Sequence, residues 1–404
     1  MAKIDDYASI VGESEVEGIK QLAEMIKGEK VVHVNATPYG GGVAEILNRV
    51  IPLARSLDID ANWQTLKGDT EFFTVTKKIH NALQGDQAVL LSEGEWKHYF
   101  DTVRFNSSIL SLDGDVVIIH DPQPLPLIDY RREGKWAWRC HIDTSSPNSR
   151  VWDPLMELVQ RYNIAIFSLE KYIPKSLEPQ VLIDHPTIDP LATKNAGISV
   201  SEIEKTLSRY GVDPERPIIG QVGRFDPWKD PLGAMEVHRL VKERVPAAQL
   251  VLIGSFAKDD PEAAEWYEKA MAYAAKEKDI FVLTNLDGVG DLEVNAFQRA
   301  FSVALQMSKR EGFGLTVTEA LWKGVPVVST RAGGISLQVI DGATGYLIGN
   351  YQEAADRTVL LLKKPWLARE LGESGRRHVK LNFLITKGIM NYLRMHIELV
   401  GKRN

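Results

Sequence analysis

The residues best suited to chemistry lie in the segment Met307-Ser308-Lys309-Arg310-Glu311-Gly312-Phe313-Gly314-Leu315-Thr316-Val317-Thr318-Glu319-Ala320. Glu311 falls in a loop after the strand-like run FSVALQM, and Glu319 falls about a turn into the helical pattern LTVTEALWKG. Between them, Gly312 and Gly314 expose backbone amides beside a helix N-terminus. One element therefore offers two carboxylates for sugar or ribose hydroxyls and an amide pocket for a phosphate. The competing reading is one helix cap and one solvated glutamate. A second candidate, Gly223-Arg224-Phe225-Asp226-Pro227-Trp228-Lys229, follows another strand-like run. Arg224 and Lys229 can hold both phosphates of a diphosphate and stabilise the charge of a departing one. By spacing alone, a solvated basic loop with a stacked tryptophan serves equally well.

Two weaker signals lie in the first half. Thr37-Pro38-Tyr39-Gly40-Gly41-Gly42 connects a β-branched run to the amphipathic pattern VAEILNRVIPLARSL, and its glycines let a phosphate or sugar oxygen approach a helix N-terminus. A plain strand-to-helix turn is the alternative. The segment is neither a GxGxxG nor a P-loop with its lysine, which speaks against a dehydrogenase or a kinase. His120-Asp121-Pro122-Gln123-Pro124 and Cys140-His141-Ile142-Asp143-Thr144 each put a histidine and an aspartate at a strand end.

These residues need a scaffold, and the pattern supplies one. Short β-branched runs alternate with longer helical patterns, as in parallel sheets covered on both faces. The first half gives strands at Lys30 to Ala36, Val116 to His120, Trp138 to Ile142, Ile164 to Phe167 and Val181 to Ile183. A Pro- and Asp-rich stretch, His185 to Pro217, reads as a linker holding the short helix SVSEIEKTLSRYG. After it the alternation restarts with PIIGQVGRF, AQLVLIGSF, DIFVLTNL, AFSVALQM, PVVST and GYLIG. The fold class is therefore α/β, with Rossmann-like domains at residues 1–200 and 214–384. With two such sheets, ligands are expected at the strands' carboxyl ends, in a cleft between the domains.

Composition narrows the partners. The 404 residues are 44% hydrophobic and 25% charged, an ordinary globular balance, and the formal net charge of -6 lacks the basic surplus that non-specific nucleic-acid binding requires. A single cysteine, Cys140, leaves no disulfide and no thiolate-rich metal site. The opening MAKIDDYASIVGESE has no apolar signal core, and no apolar run approaches a membrane span, so the cytoplasm is expected. Asp113-Gly114-Asp115 has the letters of a metal-binding Asp-x-Asp loop, but it precedes its strand and reads as a turn.

With these pieces in place, the chain resembles the family 4 retaining glycosyltransferases of the two-domain GT-B fold, and within them the trehalose-forming synthases. The family's two glutamates, with seven residues between them, match Glu311 and Glu319, and its phosphate-binding pair matches Arg224 and Lys229. The subgroup is carried by HVNATPYGGGVAEIL, EFFTVTKKIHNALQG, HDPQP, WRCHIDTSSPN, GRFDPWKD, VLTNLDGVG with VNAFQRA, and REGFGLTVTEALWKG, from residue 33 to 324. The departure is Gly223, where the subgroup often has serine.

The resemblance implies roles. Arg224 and Lys229 would bind the donor diphosphate, with Gly41 and Gly42 approaching the phosphates. Glu319 would hold the ribose, and the backbone of Leu283, Thr284 and Asn285 would meet the base. Glu311, with the amides of Gly312, Phe313, Gly314 and Leu315, would take the glucose hydroxyls, and His141 would sit near the reacting carbon. Asp121, Gln123 and Asp143 are assigned to the acceptor, and a final helix within 385–404 would return to the first domain. The implied reaction joins the glucosyl group of ADP-glucose or UDP-glucose to glucose, giving trehalose reversibly with neither cofactor nor metal. The expected partners are these small molecules, with a homodimer the assembly considered. A different sugar acceptor, a nucleotide-sugar epimerase and a non-catalytic sugar-binding protein are the alternatives.

Overall fold

The computed structural model describes residues 2–39, 42–256 and 263–401. Twelve strands are described: β1 (Lys30–Asn35), β2 (Asp60–Thr65), β3 (Val116–His120), β4 (Lys135–Cys140), β5 (Ile164–Phe167), β6 (Gln180–Ile183), β7 (Ile218–Val222), β8 (Gln249–Gly254), β9 (Ile280–Thr284), β10 (Val303–Gln306), β11 (Val327–Thr330) and β12 (Gly345–Ile348). They form two six-stranded sheets, ordered β2-β1-β3-β4-β5-β6 and β12-β11-β10-β7-β8-β9, and every pairing is parallel. The described residues fall into two compact units, one running to Thr187 and resuming at Ile385, the other from Ile188 to Leu384. Among the described residues no helix is long and apolar enough to cross a membrane.

In the first unit, the central strands are unbroken apolar runs because helices cover both faces. All five residues of β3 (VVIIH) are buried. Trp136 and Trp138 on β4 have no exposed surface, and Trp138 meets Phe167 of β5 edge-on at 5.9 Å between ring centroids. Complete burial of one such ring is worth about 5 kcal/mol, from ~200 Å² at ~25 cal/mol per Å². This strand corrects the expected span of Trp138 to Ile142. It starts at Lys135, because Trp136 alternates onto the same core face as Trp138 and Cys140, and it ends at Cys140. His141 and Asp143 therefore lie in the loop beyond the strand. Strand β2 was not expected at all. Its sequence DANWQT lacks an apolar run because it is an edge strand, paired only with β1.

The final helix, Ile385–Val400, belongs to the first unit and buries Ile385, Ile389, Tyr392, Leu393, Met395 and His396. The Asp113-Gly114-Asp115 turn precedes β3 and fastens β1: the Lys30 amide donates to Asp115 at 2.9 Å and the Lys30 ammonium pairs with Asp113 at 2.8 Å.

The second sheet, read from its other edge, runs β9-β8-β7-β10-β11-β12, the order of a doubly wound dinucleotide fold. The chain crosses from one half of this sheet to the other between β7 and β10, which are neighbours, so their loops diverge and leave a crevice at the carboxyl ends. The stretch read as a linker is built into this unit. Ser199 and Glu202 form a reciprocal capping box that starts the helix Val200–Arg209. The carbonyls of Thr193 and Ala196 accept from Asn295 at 2.7 and 2.8 Å. Its Pro and Asp content reflects turns, and those turns are packed.

Candidate active site

Arg224 and Lys229 lie in the loop after β7, and Glu311 in the loop after β10. Gln221, buried at the end of β7, fastens the two loops: its side-chain oxygen accepts from the Met307 amide at 3.0 Å and its Nε2 donates to the Lys229 carbonyl at 2.9 Å. A second fastening runs from the Lys309 amide to the Trp228 carbonyl at 2.7 Å. The result is an ion pair between Lys229 Nζ and Glu311 Oε2, with the Ser308 hydroxyl donating to the same carboxylate oxygen at 3.3 Å. Both side chains keep only a small accessible surface, 14% and 11%. They are thus desolvated enough for charge to act strongly and still reachable from solvent.

Arg224 is oriented by Asp226, 3.4 Å away and wholly buried, whose other oxygen accepts from the Lys229 amide at 2.8 Å. One buried aspartate therefore organises both cations. Gly223 has room for a side chain: an added Cβ would meet the Lys229 stem at 3.6 Å, ordinary contact distance. Serine would fit there without a shift.

Gly314 caps the eight-residue helix Leu315–Trp322 with φ 92, a left-handed conformation glycine adopts without strain, and its Cα faces the Glu311 side chain. The amides of Val317 and Thr318 donate to the Gly314 carbonyl, whereas those of Leu315 and Thr316 have no earlier turn to accept them. Phe313 is buried under this turn, its carbonyl accepting from Gln338 at 2.6 Å. Glu319, one turn into the helix, has no accessible surface. It pairs with Lys194 at 2.8 Å and accepts from Gln298 at 3.3 Å. A ribose at that carboxylate would share it with those donors.

Leu283, Thr284 and Asn285 close β9. Thr284 is buried with its hydroxyl and amide both bonded to Asp287 at 2.8 Å, and Asn285 accepts from the Phe256 amide at 2.9 Å. The side chains here shape the loop that follows β9.

The first unit has its own switch point, between β1 and β3. Gly42 opens the helix Gly42–Arg55 and is exposed. Gly41 lies outside the described residues. His120, buried, reaches His141 at 3.0 Å. Asp121 stands in the left-handed region at φ 64, where its carboxylate accepts the His141 amide at 2.7 Å. Burial pushes the Asp121 carboxyl up to about 7, against the opposing pull of that amide and of Arg139. Such a backbone outlier at a strand's carboxyl end is characteristic of functional loops. Asp143 is buried and accepts from the Ser145 hydroxyl at 2.6 Å and its amide at 3.0 Å. Gln123 is half-buried beside Asp121.

The structure thus brings Arg224, Lys229, Glu311 and the Gly312–Leu315 turn together in one unit, and His120, Asp121 and His141 together in the other. Sequence reasoning missed Asp226, Gln221 and Lys194, which hold the charged groups, and His33 and Tyr392, which extend the histidine cluster. His33 had a signal, a lone polar residue inside the apolar run KVVHVN. Tyr392 had none, being 359 residues away from it in sequence.

Two doubly wound sheets, one carrying a paired-cation and carboxylate cluster at its switch point, define a GT-B glycosyltransferase. Residues 33–174 match the family model for the trehalose synthase N-terminal domain, and residues 202–378 match glycosyl transferases group 1. The chain is 48% identical to the trehalose synthase of Pyrococcus horikoshii over 97% of its own length and 95% of that protein. It is 44% identical to the trehalose synthase of Rubrobacter xylanophilus, over 98% and 97%. The sucrose-phosphate synthase structure from Thermosynechococcus elongatus shares the fold at a TM-score of 0.71 and 16% identity, covering 92% of this chain and 99% of that one. The chain belongs to the trehalose synthase family.

Proposed function

We propose that the protein transfers the glucosyl group of ADP-glucose or UDP-glucose to glucose, forming α,α-trehalose and a nucleoside diphosphate, reversibly and with retention of configuration. The observation that carries this reading is the loop pair at the β7–β10 switch point, where Asp226 organises Arg224 and Lys229 and Lys229 meets Glu311. A diphosphate leaves readily once its charge is neutralised. Arg224, Lys229 and the amides opening the helix Leu315–Trp322 supply that neutralisation from fixed positions, in place of a general acid. The reading calls on no metal for this step.

A diphosphate at this point competes with Glu311 for Lys229, and the released carboxylate then accepts the hydroxyls of the glucosyl group. Gly41, Gly42 and the turn Gly312–Leu315 would approach phosphate and sugar, Glu319 the ribose, and Leu283–Asn285 the base. On the acceptor side stand Asp121, Gln123 and Asp143, with His141 beside the reacting carbon. The acceptor hydroxyl attacks from the face the diphosphate leaves, and the departing phosphate oxygen takes its proton, so retention follows from one face serving both events.

The test is incubation with ADP-glucose or UDP-glucose and glucose, followed by chromatography and anomeric proton NMR. Trehalose and nucleoside diphosphate are expected in equal amounts. Absence of disaccharide with either donor overturns the reading, and donor consumption without glucose points to an epimerase.

A further inference from the structure

We propose that Tyr392, His33 and His120 form a directed hydrogen-bond chain that fixes His141 as its Nδ1–H tautomer, making it a neutral donor toward its ligand. Four side chains, from within β1, the end of β3, the residue after β4 and the final helix, lie in one line. Tyr392 Oη is 3.2 Å from His33 Nε2, His33 Nδ1 is 3.0 Å from His120 Nε2, and His120 Nδ1 is 3.0 Å from His141 Nε2. Successive imidazole planes are inclined by 23° and 14° with centroids 5.3 and 5.4 Å apart, so the rings meet edge to edge with each N–H close to the next ring's plane.

A neutral imidazole has one donor nitrogen and one acceptor nitrogen. Burial holds all three rings neutral. Each His–His bond then needs a donor and an acceptor, so all three rings must carry the proton on the same atom: all on Nδ1 or all on Nε2. The choice falls to Tyr392, which is buried and keeps its phenolic proton. If the rings are Nδ1–H, the hydroxyl donates to His33 Nε2, every inner proton has an acceptor, and only the terminal Nδ1–H of half-buried His141 is left for solvent or ligand. If they are Nε2–H, His33 donates to Tyr392 and the phenolic proton must find another acceptor. Neither ring nitrogen of His396, packed 4.3 Å away between centroids, nor either oxygen of Glu29 accepts a hydrogen bond from it. An orphaned buried donor biases the chain by roughly ten- to a hundredfold toward Nδ1–H.

Tyr392, His33 and His120 are positioning residues, acting through His141. What the chain contributes to transfer rests on the reading of His141 as the group beside the donor glucose, whereas the tautomer itself does not. The experiment is long-range proton–nitrogen NMR of the full chain labelled with nitrogen-15 at its nine histidines, assigned by single substitutions. Nδ1–H on His33, His120 and His141 is expected. In Tyr392→Phe, with thermal unfolding monitored, the bias is lost, His141 populates Nε2–H, and kcat falls about tenfold with KM nearly unchanged. Nε2–H or mixed tautomers in the unaltered protein, a measurement that needs no variant, overturn the chain. So does a Tyr392→Phe protein whose three rings keep the Nδ1–H form. Tautomers that respond as stated while kcat stays constant support the chain and overturn instead the role given to His141.

Discussion

The two sheets place opposite kinds of polarity at their switch points. In the second unit the groups are ionic: Arg224 on Asp226, Lys229 on Glu311, and Lys194 on the fully buried Glu319. In the first the linked groups are neutral rings and a phenol, beside Asp121, its ordinary acidity suppressed by burial, and Asp143, held by Ser145. On the function proposed above, the difference follows from what each half holds. A diphosphate brings charge that only fixed cations can offset at low cost, whereas sugar hydroxyls are served by neutral donors and acceptors, which carry a smaller desolvation penalty. One architecture therefore supports two chemistries, because the loops after the strands vary while the strands do not.

Four measurements press on this contrast. Lys194→Met removes the cation from a carboxylate with no accessible surface. The urea midpoint should drop by an amount equivalent to about 3 kcal/mol or more, as for other buried pairs broken on one side. Arg224→Ala should lower kcat about 10²- to 10³-fold, close to the loss of one preorganised donor at a developing charge, while leaving the unfolding temperature nearly unchanged. Near-normal turnover in that variant would erase the distinction between the two halves.

Acid should separate the units. Burial pushes the His33 imidazole down to about 3 and those of His120 and His141 well below 6.5. Below about 6.5 the unfolded chain binds protons that the folded rings refuse, so stability from these groups is complete above that pH and falls as pH drops. At pH 5, His33 alone accounts for on the order of 2 kcal/mol, at about 1.36 kcal/mol per unit. Asp121, its carboxyl raised to about 7, works in the other sense, adding stability as pH falls from 7 toward 4, one group against four once the buried His396, also lowered by burial, is included. Hydrogen exchange at pH 7 and pH 5 should show β1, β3 and β4 losing more protection than β7 and β10. Equal loss in both sheets would remove the acid contrast. The smallest effect is expected from Gly223→Ser: a stability change within ±0.5 kcal/mol and activity within about twofold, because the new Cβ sits at ordinary contact distance from Lys229.

The central strands, the Arg224–Lys229 loop and the Glu311–Glu319 element were legible because local pattern determines them: apolar runs, glycines beside a helix start, charges after a strand. Edge strand β2 was not, since pairing on one side with a mostly polar sequence leaves no run to read. The start of β4 was misplaced because Trp136 and Trp138 alternate with other residues, and only the shared core face joins them. Local sequence could not separate Glu311, reachable and ion-paired, from Glu319, sealed beneath Lys194 and Gln298.

By itself the sequence determined the alternation of strands and helices, the two-sheet α/β class and the identities of the charged groups near the strands' carboxyl ends, because those depend on residues a few positions apart. Only the tertiary structure decided which groups touch. Gln221 joining two loops, Asp226 serving both cations and Tyr392 reaching His33 depend on strand order and helix packing, which bring distant parts of the chain within 3.5 Å. A hydrogen bond or ion pair acts only over that short range, so its existence is a property of the folded arrangement.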